Sequence, residues 1–177
     1  MIPSIENSNL AYIQSSDNID SNKETILFIH GNSSSKEIFI KQLEDKELSE
    51  TFNLIAVDLP GHGESPHIKD AETIAEIYTV PFYAQTLKEL LSSLSIVKPI
   101  VVGHSLGAHI STSLSKIYPL KALINIQNTP INSPADLPTA LSQDSCFQQL
   151  FSADIADEAL NTLATKFFKH TAPESFY

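Results

Sequence analysis

The sequence predicts an α/β protein: a mostly parallel sheet with helices on both faces. Three observations lead there. Four continuous apolar runs, residues 25–29, 53–57, 100–102 and 122–126, have the pattern of strands buried on both sides. Segments of helical periodicity separate these runs, and strands alternating with helices build right-handed βαβ units. The third observation is where glycine falls. The chain has five, Gly31, Gly61, Gly63, Gly103 and Gly107, all in three short loops that each follow an apolar run. Glycine used this sparingly marks places where the backbone turns tightly or comes close to something. In parallel sheets ligands bind beyond the carboxyl ends of the strands, so the three loops are expected to form one site.

The elements follow in order. Residues 1–23 are polar, with a weakly alternating piece, Leu10-Ala11-Tyr12-Ile13, expected as an edge strand or hairpin before a turn through Asp17-Asn18-Ile19-Asp20. The first buried strand ends at His30-Gly31-Asn32-Ser33-Ser34-Ser35. A helix is expected over 35–48, with Ile38, Leu43 and Leu48 apolar and with Glu44, Asp45, Glu47 and Glu50 as a solvated face. The second buried strand ends at Asp58-Leu59-Pro60-Gly61-His62-Gly63-Glu64-Ser65, and a polar loop continues to about residue 79. On the next helix, over 80–94, Tyr83, Leu87, Leu90, Leu91 and Leu94 share a face. The third strand and a helix over 106–118 flank Ser105. Leu106, Ile110, Leu114 and Ile117 are expected to face the core, and Pro119 to stop the helix. After Thr129-Pro130 the pattern changes, with prolines at 130, 134 and 138 and helices expected over 145–151 and 155–169. The expected organisation is a core over 1–129 and the start of a helical cap over 130–177.

The stretch around Ser105 organises the rest. Gly103-His104-Ser105-Leu106-Gly107 is a G-x-S-x-G pattern between an apolar run and an amphipathic segment, the strand–turn–helix context that gives the pattern meaning. A strand turning straight into a helix strains the turn residue and exposes its side chain at the top of the sheet. Residues two positions away on either side must be small, because strand and helix nearly touch. The first N–H groups of the helix have no intrahelical partner and point at any anion formed beside the serine. The N–H of Leu106 is therefore a natural oxyanion donor.

Bulk properties exclude several classes. The net charge is −10, and all eleven basic residues are lysine; without guanidinium forks or a basic cluster, nucleic acid is not an expected partner. No stretch approaches the roughly 18–20 apolar residues of a membrane span. Residues 1–9 lack a basic region followed by an apolar core, and the single Cys146 forms no internal disulfide, so a cytoplasmic location is expected. Oligomeric state is not readable from the sequence.

His30-Gly31-Asn32, Asp58 to Ser65 and Gly103 to Gly107, in this order and spacing, resemble the α/β-hydrolase superfamily, in particular its capped esterase-like members. The resemblance implies a serine hydrolase acting on an ester, thioester or similar acyl bond of a small-molecule substrate, through an acyl-enzyme on Ser105. It implies that the backbone N–H groups of Asn32 and Leu106 form the oxyanion hole, and that His30, Ser33, His62 and His104 lie near the pocket. No cofactor and no metal are expected. In the family an acid and then a histidine follow the nucleophile in chain order. The chain ends at Tyr177 without segments matching them, as an N-terminal portion of a hydrolase would.

The remaining candidates read as structural. Asp136 is expected to be a solvated loop aspartate, and His170 to sit at the end of a cap helix. His109 reads as a packing residue. No histidine pair has zinc-ligand spacing. The alternative function is a non-catalytic binding protein that keeps the pocket and has lost the base.

Overall fold

The computed structural model describes residues 10–67 and 78–126 of the chain. Its five strands are β1 (Tyr12–Gln14), β2 (Glu24–Ile29), β3 (Phe52–Val57), β4 (Ile100–His104) and β5 (Ala122–Ile126), ordered β1-β3-β2-β4-β5. β1 is an edge strand antiparallel to β3, and every other pairing is parallel. All four apolar runs are thus parallel neighbours in one sheet. β4 continues two residues past the expected end, to His104, where it still pairs with Ile126.

Register places the site. Ile29 at the end of β2 stands opposite Val57 on one side and Gly103 on the other. The chain therefore leaves β2, β3 and β4 at one level, and the three glycine loops start beside one another.

Both faces of β2, β3 and β4 are covered, whereas β5, expected as a fourth buried strand, is exposed at all five residues. On one face, Leu27, Ile29, Ile55, Val57 and Val101 pack with α3 (Val80–Ser93) and α4 (Leu106–Leu114). The periodicity of α3 holds: Tyr83, Leu87, Leu90 and Leu91 are buried, and Thr79 caps its start by accepting the Phe82 N–H. On the other face Ile26, Phe28, Leu54, Ala56 and Val102 pack with Phe39 and Leu43. The Phe28 and Phe39 rings lie 5.0 Å apart. β5 pairs with β4 alone among the described residues, and Leu123, Ile124 and Ile126 are exposed.

Two helix expectations are also corrected. The helix over 35–48 is three short pieces: a 3-10 turn over Lys36–Phe39, α1 (Ile40–Leu43) and α2 (Lys46–Thr51). Asp45 is the cause of the last break, because its carboxylate accepts the Leu48 N–H and starts a new helix. It is a cap and not part of a continuous solvated face. The helix after Ser105 ends at Leu114, not Tyr118. Lys116 and Ile117 bond back three residues, tightening the last turn, and this takes Ile117 off the apolar stripe to 42% exposure. The chain divides into two units, Met1–Thr129 and Pro130–Tyr177. The expected cap segment, Asp136, Cys146 and His170 lie outside the described residues. No helix among the described residues is long and apolar enough to cross a membrane.

Candidate active site at the carboxyl ends of the parallel strands

Ser105 connects β4 to α4 with φ 52° and ψ −114°. A side chain at positive φ is strained, and such strain persists only where the surroundings impose it. Here they do. The Ser105 N–H bonds to the Ile126 carbonyl at 2.9 Å, and its own carbonyl accepts the Ala108 N–H at 2.9 Å. The residue is held from the neighbouring strand and from the first turn of its own helix.

The flanking glycines leave no room for alternatives. A Cβ on Gly103 would fall 2.4 Å from the Gly107 carbonyl oxygen, the strand–helix contact expected from the pattern. A Cβ on Gly107 would fall 2.2 Å from the Ile29 carbonyl oxygen and 2.7 Å from that of His30. Gly107 therefore also lets α4 pass over the end of β2. A Cβ on Gly31 would lie 3.1 Å from both the Ser105 Cβ and His104 Nδ1, so the loop after β2 abuts the serine.

Beyond Gly31, Asn32 is exposed and its amide donates to Ser33 Oγ at 3.2 Å. Ser33 has φ 54°, a second non-glycine residue in the left-handed region beside the elbow. Leu106 is the first residue of α4, where helical N–H groups lack an intrahelical acceptor. Asn32 and Ser105 thus occupy the same end of the sheet, the arrangement an oxyanion hole requires.

The histidines divide by environment. His30 is fully buried. Its Nδ1 donates to the Gly31 carbonyl at 2.7 Å, and its Nε2 accepts the Leu59 N–H at 3.0 Å. An imidazole that accepts at one nitrogen and donates at the other is neutral. Burial lowers its pKa to about 4, only partly offset by the Gly31 hydrogen bond. His30 ties the loop after β2 to the loop after β3 and has no free nitrogen for proton transfer. His62 packs beside it with ring centroids 5.2 Å apart, and its Nδ1 donates to the Pro60 carbonyl at 3.2 Å. Burial lowers the pKa of His62 as well. His104 turns its Nδ1 toward Gly31.

One cluster went unread in the sequence. Lys36 is 2% exposed, and its ammonium lies 2.7 Å from Asp58 Oδ2, 2.7 Å from Glu64 Oε2 and 3.0 Å from Glu37 Oε1. The three carboxylates approach one another within the span of a metal-ligand set, and the lysine supplies the positive charge at their centre. Nothing in the sequence separates this lysine from ten exposed-looking others; only the fold brings residues 36, 58 and 64 together.

The chain belongs to the α/β-hydrolase fold family, whose model matches residues 24–174. Among curated proteins it is 32% identical, over 136 residues, to 2-(acetamidomethylene)succinate hydrolase of Mesorhizobium japonicum, a match covering 76% of this chain and 46% of that protein. The crystal structure of a serine-to-glycine mutant of the N-acyl homoserine lactonase AidH with N-hexanoyl homoserine lactone superposes with a TM-score of 0.74 at 25% identity, covering 94% of this chain and 59% of the lactonase. A hydrolase from Pseudomonas aeruginosa PA01 shares the fold with a TM-score of 0.69 at 19% identity, covering 94% of this chain and 60% of its own. The chain thus spans less than half of that curated relative and about three fifths of these structures.

Proposed function

We propose that this chain carries the nucleophile and oxyanion-hole side of a serine hydrolase that cleaves an ester, thioester or similar acyl bond. The observation that carries the reading is Ser105 held at positive φ between a parallel strand and a helix N-terminus, with Gly31 against its Cβ. In this reading Ser105 Oγ attacks the acyl carbonyl carbon. The carbonyl oxygen becomes an oxyanion, and the N–H groups of Leu106 and Asn32 receive it. The serine proton passes to a general base and from it to the leaving alcohol or thiol as the tetrahedral intermediate collapses to an acyl-enzyme, which water then hydrolyses. The lactone bound by the AidH serine-to-glycine mutant supports an ester-type substrate, and the family supports hydrolysis as the outcome.

Attack needs a base, because a serine hydroxyl is almost wholly protonated near neutral pH. His30 and His62 both spend Nδ1 on backbone carbonyls, and His30 is held neutral with both nitrogens engaged. The 177-residue chain is therefore expected to release nitrophenolate from a short-chain nitrophenyl ester slowly, and to lose that release on Ser105→Ala. Equal release by the two proteins would contradict the reading and favour a protein that only binds. Fast turnover confined to the unsubstituted chain would place a base within reach of Ser105, with His62 and His170 the first residues to substitute.

A further inference from the structure

The loop that abuts Ser105 is fastened at two points. The first is His30, whose Nε2 accepts the Leu59 N–H. The second is Lys36, six residues on, which grips one carboxylate twice. Its backbone N–H donates to Asp58 Oδ1 at 2.7 Å, and its ammonium donates to Asp58 Oδ2 at 2.7 Å. Between these fastenings lie Gly31, against Ser105, and Asn32, the proposed oxyanion donor.

Asp58 is itself held from several directions. Its carboxylate is fully buried and also accepts the Glu64 N–H at 2.9 Å. Its backbone N–H bonds to the Ala11 carbonyl at 2.8 Å, and its carbonyl accepts the Ser65 hydroxyl at 2.8 Å. A Cβ on Gly63, which has φ 51°, would fall 2.2 Å from Asp58 Oδ2. The carboxylate is thus buried, hydrogen-bonded at both oxygens and placed just beyond the end of β3.

Stability alone does not account for this pair. A buried ion pair loses in desolvation much of what it gains in attraction, and apolar replacements are often as stable. Two donors from one residue on two oxygens of one rigid carboxylate do something else: they set a position. Burial works to lower the Lys36 pKa, but its hydrogen bonds to Asp58, Glu64 and Glu37 overcome this and hold it above the usual lysine range, so the grip stays charged.

We propose that Lys36 is a positioning residue for the oxyanion side of the site: through Asp58 it holds the 31–35 loop where the Asn32 N–H meets the charge developing on the substrate carbonyl. The inference rests on the proposed hydrolase reading and adds to it a residue that does not touch substrate.

The test is phosphonylation of the full 177-residue chain by an alkyl fluorophosphonate, followed by intact mass over a range of probe concentrations. Lys36→Met should lower the limiting first-order constant about tenfold, with half-saturation kept within about twofold, since a displaced oxyanion donor weakens the transition state more than ground-state binding. Lys36→Arg keeps forked donors for the carboxylates and should recover most of the constant. A folded Lys36→Met protein, by circular dichroism, with an unchanged limiting constant would overturn the proposal; so would Lys36→Arg reacting no faster than Lys36→Met. Should Lys36→Met fail to fold, the pair Lys36→Met with Asp58→Asn leaves no unpaired buried charge, and the same constant decides. Failure of the underlying reading looks different: the unsubstituted chain would label no faster than Ser105→Ala, and the proposal would fall with it.

Discussion

Gly107 passes so close to the end of β2 that a Cβ on it would sit 2.2 Å from the Ile29 carbonyl oxygen. That carbonyl belongs to a backbone pinned on both sides, opposite Val57 and Gly103, so it cannot give way. Gly107→Ala is expected to destabilise the protein by about 3 kcal/mol or more, at the upper end of overpacking costs. Gly31→Ala, whose Cβ would meet its neighbours at 3.1 Å, should cost about 1 kcal/mol and act mainly on the position of Ser105. Urea unfolding of the two variants, compared at equal slopes, checks the order.

Ser105 stores strain that glycine would release. With φ at 52° and ψ at −114°, the serine occupies a region L-residues seldom adopt, at a cost of about 1–3 kcal/mol. Ser105→Gly is expected to raise the unfolding free energy by about 1–2 kcal/mol, less a small term for the freer unfolded chain. The same substitution should abolish Ser105-dependent chemistry. A Ser105→Gly protein no more stable than the parent would mean that the elbow is not strained.

His30 makes the fold sensitive to acid. Burial lowers its folded pKa to about 4, below the roughly 6.5 of an unfolded histidine. The unfolded chain therefore takes up a proton that the native one refuses. Stability is fully present above about pH 6.5 and is lost as the pH falls toward 4, by on the order of 3 kcal/mol in all. His62, also lowered by burial, adds to the trend with the same sign. In urea titrations at pH 7 and pH 4.5, His30→Gln should lose distinctly less stability on acidification than the parent. Equal losses would show that the imidazole is not held neutral.

The strands and the elbow were legible because their causes are local. A strand buried on both faces is a continuous apolar run, and all four runs became parallel neighbours, although β5 is exposed along its length. G-x-S-x-G between a strand and a helix is a steric statement, and Gly103 meets it, with the Gly107 carbonyl oxygen 2.4 Å from where its Cβ would be. The missing side chain of Gly107 answers to β2, where its Cβ would fall 2.2 Å from the Ile29 carbonyl oxygen, and that reason needs the strand order. The segment over 35–48 misled because its apolar spacing suits one helix while Asp45 caps another. His30 read as a pocket residue from its place in the loop; only the pairing of β2 with β3 brings the Leu59 N–H to its second nitrogen. Lys36 was invisible for the same reason, since Asp58 lies 22 residues away in sequence.

The most direct measurement is the site of covalent labelling. After exhaustive incubation of the 177-residue chain with an alkyl fluorophosphonate, peptide mass mapping should find one phosphonyl group, on Ser105. Ser111, Ser113 and Ser115 on the same segment should stay unmodified, and Ser105→Ala should take up none. A strained serine beside helix N–H donors reacts selectively even when slowly. Label spread over several serines, or persisting in Ser105→Ala, would contradict the assignment of Ser105 as the nucleophile.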